Sequence, residues 1–151
     1  ASDVYKRQNV LSFMSDKLLT VGNTVAALDE LYIWLSNPTA IEYIRNCLKR
    51  VRKKESAMLL ASQNLEDFDQ EQVREMTKPL FSIPPHQFLF NAGSVDKKFY
   101  MDNLQLEPAE FELIRYPQRG VCLYRCGNER YLLEVHAPPY KEKLFGTAGG
   151  R

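Results

Sequence analysis

Apolar and polar positions along the chain fall into a few distinct patterns. Residues 9–19 carry Val10, Leu11, Phe13, Met14, Leu18 and Leu19 at helical spacing, which predicts an amphipathic helix. Gly22-Asn23 ends the connection after it. Val25-Ala26-Ala27-Leu28 is a short unbroken apolar run, as expected of a buried strand in a parallel sheet. It stops abruptly at two adjacent carboxylates, Asp29 and Glu30. Residues 31–35 are apolar and read equally as another strand or as a packed helical turn, with Ser36-Asn37-Pro38-Thr39 as a turn after them. Thr39-Ala40-Ile41-Glu42 has the form of a capping box. The helix it opens puts Ile41, Ile44, Leu48 and Val51 on one face and Arg45, Lys49 and Arg52 on another. Residues 57–62 form a second apolar run, read as another buried strand, and Gln63 follows it.

Strand, helix and strand make one right-handed βαβ unit. Neighbouring parallel strands point the same way, so Gln63 is expected beside Asp29 and Glu30 at one sheet edge. In open α/β sheets that edge is where ligands bind. Further on, residues 65–78 are polar, with a helix expected near 70–77 that ends at Pro79. Pro84-Pro85 breaks the chain, and residues 87–91 read as a third strand. Residues 96–104 suggest a short helix, and Glu107-Pro108-Ala109-Glu110 opens another with proline in its first turn. Residues 121–126 and 130–136, joined by Gly127-Asn128-Glu129, read as a β-hairpin closed by Pro138-Pro139.

Composition narrows the class without naming a function. With 151 residues and 44% apolar residues, the chain is one domain or part of a larger one, with enough apolar surface for a core. A formal net charge of +1 provides no global steering toward nucleic acid or membrane. No stretch approaches the roughly 20 apolar residues of a membrane span, and the N-terminus has no signal-peptide core. The three scattered cysteines suit a reducing compartment. Cys122, Cys126 and His136 lack a fourth ligand at metal-site spacing, so a metal centre there is not expected.

The chemistry concentrates at the ends of the two apolar runs. Paired acids beyond a strand suit a nucleotide site, where one can hold Mg²⁺ and the other can polarise an attacking water. The plainer alternative is a helix N-terminus, where acids are favoured anyway. Gln63 could bond a phosphate or the water without adding charge; its plainer role is a loop or capping amide. Lys49-Arg50-Val51-Arg52-Lys53-Lys54 ends a helix, where cations offset the dipole. An arginine presented there could also reach a phosphate. The opening Asp3-Val4-Tyr5-Lys6-Arg7-Gln8 resembles the translation of a sequencing-library transposon end. Residues 1–8 are therefore expected to be library-derived, with the genuine protein sequence starting near Asn9 as part of a longer chain; an ordinary polar helix start is the alternative.

From about Asn9 to its end the sequence resembles the C-terminal part of the VirB-type conjugal-transfer ATPases of type IV secretion systems, within the HerA/FtsK group. Ala27-Leu28-Asp29-Glu30 resembles the Walker B strand, and Lys49-Arg50-Val51-Arg52-Lys53 the basic helix end. Ser62-Gln63-Asn64 with Asp67 resembles the sensor strand. Gly120-Val121-Cys122-Leu123-Tyr124, the hairpin and Pro138-Pro139-Tyr140 resemble the closing part. The resemblance implies a partial RecA-like P-loop domain over residues 9–151, a parallel sheet with flanking helices and a C-terminal β-hairpin. It implies ATP and Mg²⁺ as cofactors, with Asp29 organising Mg²⁺, Glu30 as catalytic base and Gln63 sensing the γ-phosphate. Arg52, or less directly Arg50, would serve a neighbouring subunit's nucleotide. It further implies a homo-oligomer, a hexamer, in the cytoplasm at the bacterial inner membrane, docked on type IV secretion channel components. No nucleic-acid site is evident. The family usually has threonine where Ser62 stands, and no G-x-x-x-x-G-K-[ST] occurs here. The chain alone is therefore expected not to hydrolyse ATP, and the strand at 57–62 should lack its phosphate-loop neighbour. Strands 25–28 and 57–62 should still pair, with 87–91 either standing apart or closing the gap. A DNA-pumping translocase of the same group and a non-catalytic α/β interaction module are the competing readings.

Overall fold

A computed structural model describes residues 2–63, 68, 74–91, 97–116 and 118–146. The chain divides into two compact units, residues 1–84 and 85–151.

The first unit is built from α1 (Ser2–Asp16), β1 (Val25–Leu28), α2 (Tyr32–Leu35), α3 (Pro38–Arg50), β2 (Ala57–Leu60) and α4 (Arg74–Ser82). A π turn at Lys17–Val21 follows α1, and a 3₁₀ turn at Val51–Lys54 follows α3. The Gly22 N–H closes the π turn on the Lys17 carbonyl at 2.9 Å. Leu11, Met14, Leu18 and Leu19 are buried as expected, whereas Val10 and Phe13 are exposed. The buried stripe of α1 is therefore narrower than the apolar pattern suggested, and the Lys17 ammonium lies over the Phe13 ring instead. Residues 31–35 resolve to the helical turn α2.

α3 starts one turn-residue pair earlier than the capping box implied. Asn37, with extended backbone, is the N-cap: its side-chain oxygen accepts from the N–H groups of Thr39 at 2.9 Å and Ala40 at 3.3 Å. Pro38 supplies the first helical position, where its missing N–H costs nothing, so Thr39 falls inside the helix. Ile41, Ile44, Leu48 and Val51 are all buried and pack with Leu18, Leu35 and Leu80 into one core. α4 runs through Pro79 to Ser82 rather than ending there. Glu75, whose carbonyl loses its helical donor to Pro79, is solvent-exposed, while buried Thr77 and Leu80 hold the helix to the core. The part of the expected 70–77 helix before Arg74 lies outside the described residues.

β1 and β2 pair in parallel, Val25 with Ala57 through Leu28 with Leu60. Among the described residues, only one face of this pair is covered. Ala26, Met58 and Leu60 pack on the core, while Val25 is 72% and Leu59 60% exposed on the other side. Strands of parallel sheets are normally covered on both faces. The expectation of fully buried strands is thus corrected to half-buried ones.

The second unit contains β3 (His86–Leu89), α5 (Lys97–Leu104), α6 (Pro108–Ile114), β4 (Val121–Cys126), β5 (Glu129–Glu134) and α7 (Pro139–Phe145). β3, β4 and β5 form an antiparallel sheet in that order, so the strand near 87–91 stands apart from β1–β2. Gly127-Asn128 makes a two-residue hairpin turn, with positive φ at Gly127, and Glu129 pairs with Cys126 as part of β5. Gly120 has φ +79 and lies so close to the Val135 carbonyl that a Cβ would sit 2.5 Å from that oxygen. Glu107 and Glu110 form a capping box at α6 with Pro108 at the first position. Tyr100, Leu104, Phe111, Ile114, Cys122 and Leu123 are buried in this unit. On the open sheet face, Phe88, Tyr124 and Tyr131 stack directly across the three strands.

Candidate functional site

Asp29 and Glu30 lie immediately beyond the carboxyl end of β1, and both are exposed. The two strands stay laced past their ends: the Ala61 N–H donates to the Leu28 carbonyl, and the Leu31 N–H to the Ala61 carbonyl, each at 2.9 Å. To turn into α2 while keeping the second bond, the chain puts Glu30 in the left-handed region, φ 51. That conformation is uncommon for a residue with a Cβ, and it occurs preferentially where a site constrains the backbone. An oxygen of Asp29, Oδ1, accepts the Glu30 N–H at 2.8 Å and fastens this bend. Nothing in the sequence signals the strained backbone at Glu30, because its cause is the bond to Ala61 on the other strand.

Gln63 follows β2 at the same sheet edge as the two acids and is exposed. Asn64 and Asp67, the rest of the resembling sensor segment, lie outside the described residues. Ser62, just before Gln63, has a buried hydroxyl with no hydrogen-bond partner among the described residues. Its orphaned oxygen is a feature that residue pattern could not reveal.

Arg52 is placed elsewhere. α3 carries the chain from the carboxyl edge of the sheet back to its amino edge, and Arg52 sits in the exposed 3₁₀ turn there. The Asn23 N–H, just before β1, donates to the Lys54 carbonyl at 2.9 Å and marks the same edge. Arg52 is thus separated from Asp29 and Glu30 by about one strand length, on the order of 13 Å for four residues. The structure brings Asp29, Glu30 and Gln63 to one edge and leaves Arg52 at the other.

The donor set at the acidic edge fits Mg²⁺, which takes one or two carboxylate oxygens and keeps several waters. Cys122 and Cys126 are separated by four residues along one strand and both are free thiols, with burial pushing the Cys122 thiol up. Among the described residues no group of three or more His, Cys, Asp or Glu side chains could hold a metal by itself.

The structure of VirB4 of Thermoanaerobacter pseudethanolicus matches this chain with a TM-score of 0.80 at 29% sequence identity, over 89% of this chain. The chain is VirB4-like. Its small parallel sheet with flanking helices corresponds to part of the RecA-like domain of VirB4, and it spans 37% of the length of that VirB4 chain. No family model matches the sequence, and no curated protein does. Among the described residues no helix of this VirB4-like chain is long and apolar enough to cross a membrane.

Proposed function

We propose that the chain is the C-terminal portion of an ATP-hydrolysing motor that powers type IV secretion or conjugative DNA transfer. The observation that carries this reading is the acid pair at the carboxyl edge of a parallel strand pair, in a fold similar to VirB4. Asp29 holds Mg²⁺, directly or through water, and its bond to the Glu30 N–H orients the bend. The metal, when bound, offsets charge on the phosphates. Glu30 takes the proton of the attacking water, and Gln63 bonds the γ-phosphate or that water from the neighbouring strand. Arg52, at the opposite edge of its own sheet, serves the nucleotide of an adjacent copy, with Arg50 as the nearby alternative. The location of Arg52 supports a role in trans, since its own acid pair is a strand length away. The motor is a homo-oligomer, a hexamer, in the cytoplasm against the bacterial inner membrane, working with type IV secretion channel components. Residues 1–8 are library-derived in this reading, which the codons of the underlying DNA test.

The chain has no phosphate loop, so by itself it neither hydrolyses ATP nor binds it tightly. The decisive experiment uses the full-length parent. Glu30→Gln and Arg52→Ala should each leave nucleotide binding nearly intact and lower hydrolysis, for Arg52→Ala by about 10³ to 10⁵. Mixing the two variants should restore part of the activity, because an intact acid pair then faces an intact arginine. A co-assembled mixture as inactive as its components would sink the trans role. A parent gene without a Walker A sequence would favour a non-catalytic α/β interaction module, and a basic pore loop upstream a DNA-pumping translocase.

A further inference from the structure

The antiparallel sheet of the second unit ends on an open edge. β4 pairs with β5 from Val121 with Glu134, through Arg125 with Arg130, to Cys126 with Glu129. Among the described residues no strand lies beyond β5. The Val135 N–H donates to the Gly120 carbonyl at 2.8 Å, so the backbone of Val135 bonds toward β4. Bonding alternates along an antiparallel strand, so Glu129, Tyr131 and Leu133 also bond toward β4. The N–H and C=O groups of Arg130, Leu132 and Glu134 therefore point outward. Unpaired edge groups of this kind are a template for another strand. The side chains leave the edge accessible, with Leu132 55% exposed. Charged side chains on an edge usually deter such pairing. On β5 their order selects one register instead.

We infer that β5 is a self-pairing edge, joining two copies of this chain as antiparallel strands about a twofold axis at Leu132. Outward-facing residues of one strand must meet outward-facing residues of the other. Setting Leu132 opposite Leu132 of the second copy satisfies this and places Arg130 opposite the second copy's Glu134. The twofold repeats that opposite-charge pair. Moving the register by two residues either way puts Leu132 against Arg130 or against Glu134 and loses both charge pairs. On the other sheet face Tyr131 meets Leu133. Arg130 keeps its Nε bond to Glu110 Oε1 at 3.2 Å and its Nη1 bonds to the Gly127 and Glu129 carbonyls. The Glu134 carboxylate is exposed, with Oε1 3.1 Å from His136 Nε2 and Oε2 turned to no partner among the described residues. The three outward residues of each strand exchange about six backbone hydrogen bonds in all. Two short strands bury less than a standard interface, so the dimer is a transient one. Asp29, Glu30, Gln63 and Arg52 take no part, so the contact is independent of the nucleotide reading.

The test is covalent capture in this chain carrying Leu59→Lys, which puts a charge on the exposed face of β1–β2. Leu132→Cys places two thiols at positions whose Cα atoms lie about 5.5 Å apart in the dimer, within disulfide reach. His136→Cys is the control: it leaves Arg130 and Glu134 in place, and its two copies lie about 27 Å apart in the same register. Mild oxidation should link Leu132→Cys about tenfold more than His136→Cys. Peptide mass spectrometry maps the link, because Cys126 is not fully buried. Adding Glu134→Arg sets like charges opposite one another in both pairs and should lower the Leu132→Cys link about tenfold. Without the added cysteine, Glu134→Arg should likewise lower concentration-dependent dimerisation in sedimentation, with far-UV circular dichroism unchanged. Linking of Leu132→Cys no greater than that of His136→Cys, or association that Glu134→Arg does not reduce, would overturn the self-pairing and leave the edge to a strand of another sequence.

Discussion

The two units solve the problem of an open sheet face differently. In the antiparallel sheet β3–β4–β5, the uncovered face is closed over by its own side chains: Phe88, Tyr124 and Tyr131 stack across the strands, with the His86 ring 2.7 Å from the Tyr124 hydroxyl. Such a sheet can present one face to water. In the parallel pair β1–β2, the other face shows Val25 and Leu59, 72% and 60% exposed. A two-stranded parallel sheet with a bare apolar face is not a stable end point, since crossover helices normally cover both sides. The contrast ties the acid pair at the carboxyl edge to the unit whose parallel strands keep an exposed apolar face.

Substitutions can break this contrast. The largest effect is expected from Ile44→Ala, which empties a site with no solvent exposure in the first core and should cost about 2–5 kcal/mol. Trp34 is the single tryptophan and belongs to the first unit, so its fluorescence reports that unit. Denaturant curves should show Ile44→Ala moving the Trp34 transition, and Leu123→Ala moving far-UV circular dichroism more than Trp34. Equal shifts of Trp34 by both would mean that the units unfold as one.

Alkaline titration should address the second unit. Tyr100 is buried, and burial pushes its phenol up to about 12. A raised folded value means that the protonated form is favoured in the fold. The contribution is fully present below the unfolded value near 10 and is lost as pH rises toward 12. The loss should be on the order of 2–3 kcal/mol, and Tyr100→Phe should flatten it in melting curves taken across that range. An unchanged slope in Tyr100→Phe would remove Tyr100 as its cause.

A smaller effect is expected at the helix start. Asn37→Ala removes the acceptor for two N–H groups and should cost about 1 kcal/mol, while Thr39→Ala should cost less, because Thr39 is not the cap. The reverse order in thermal melts would restore Thr39 as the cap. The smallest stability change is expected for Leu59→Lys on the bare face, within about 0.5 kcal/mol. Its effect should appear in sedimentation: an apolar sheet face promotes association, and the lysine should reduce it. Unchanged sedimentation would show that this face does not drive association.

Much of the fold was legible because local patterns report local structure. The run at 25–28 ending in Asp29-Glu30, the run at 57–62 and the apolar spacing of Ile41, Ile44 and Leu48 were enough for a strand, helix and strand with the acids at the carboxyl edge. Glu107-Pro108-Ala109-Glu110 likewise announced its helix, since every partner in that cap lies within four residues. The candidate site was legible only in its parts. Its acids could be read from the strand end, but the left-handed backbone at Glu30 depends on the Leu31–Ala61 bond between strands.

What the sequence by itself determined was the type and order of elements and the chemistry available at each end, because periodicity and caps act over a few residues. Tertiary structure alone decided which partner each strand took, and so placed β3 with the hairpin. It also decided which apolar residues were covered, leaving Val10, Phe13, Val25 and Leu59 in solvent. The pairing of Arg125 with Arg130, and the strand length between Arg52 and Asp29, belong to the same class. Each depends on contacts between residues far apart in the chain, where hydrophobic burial has no direction and only the packed arrangement selects the partner.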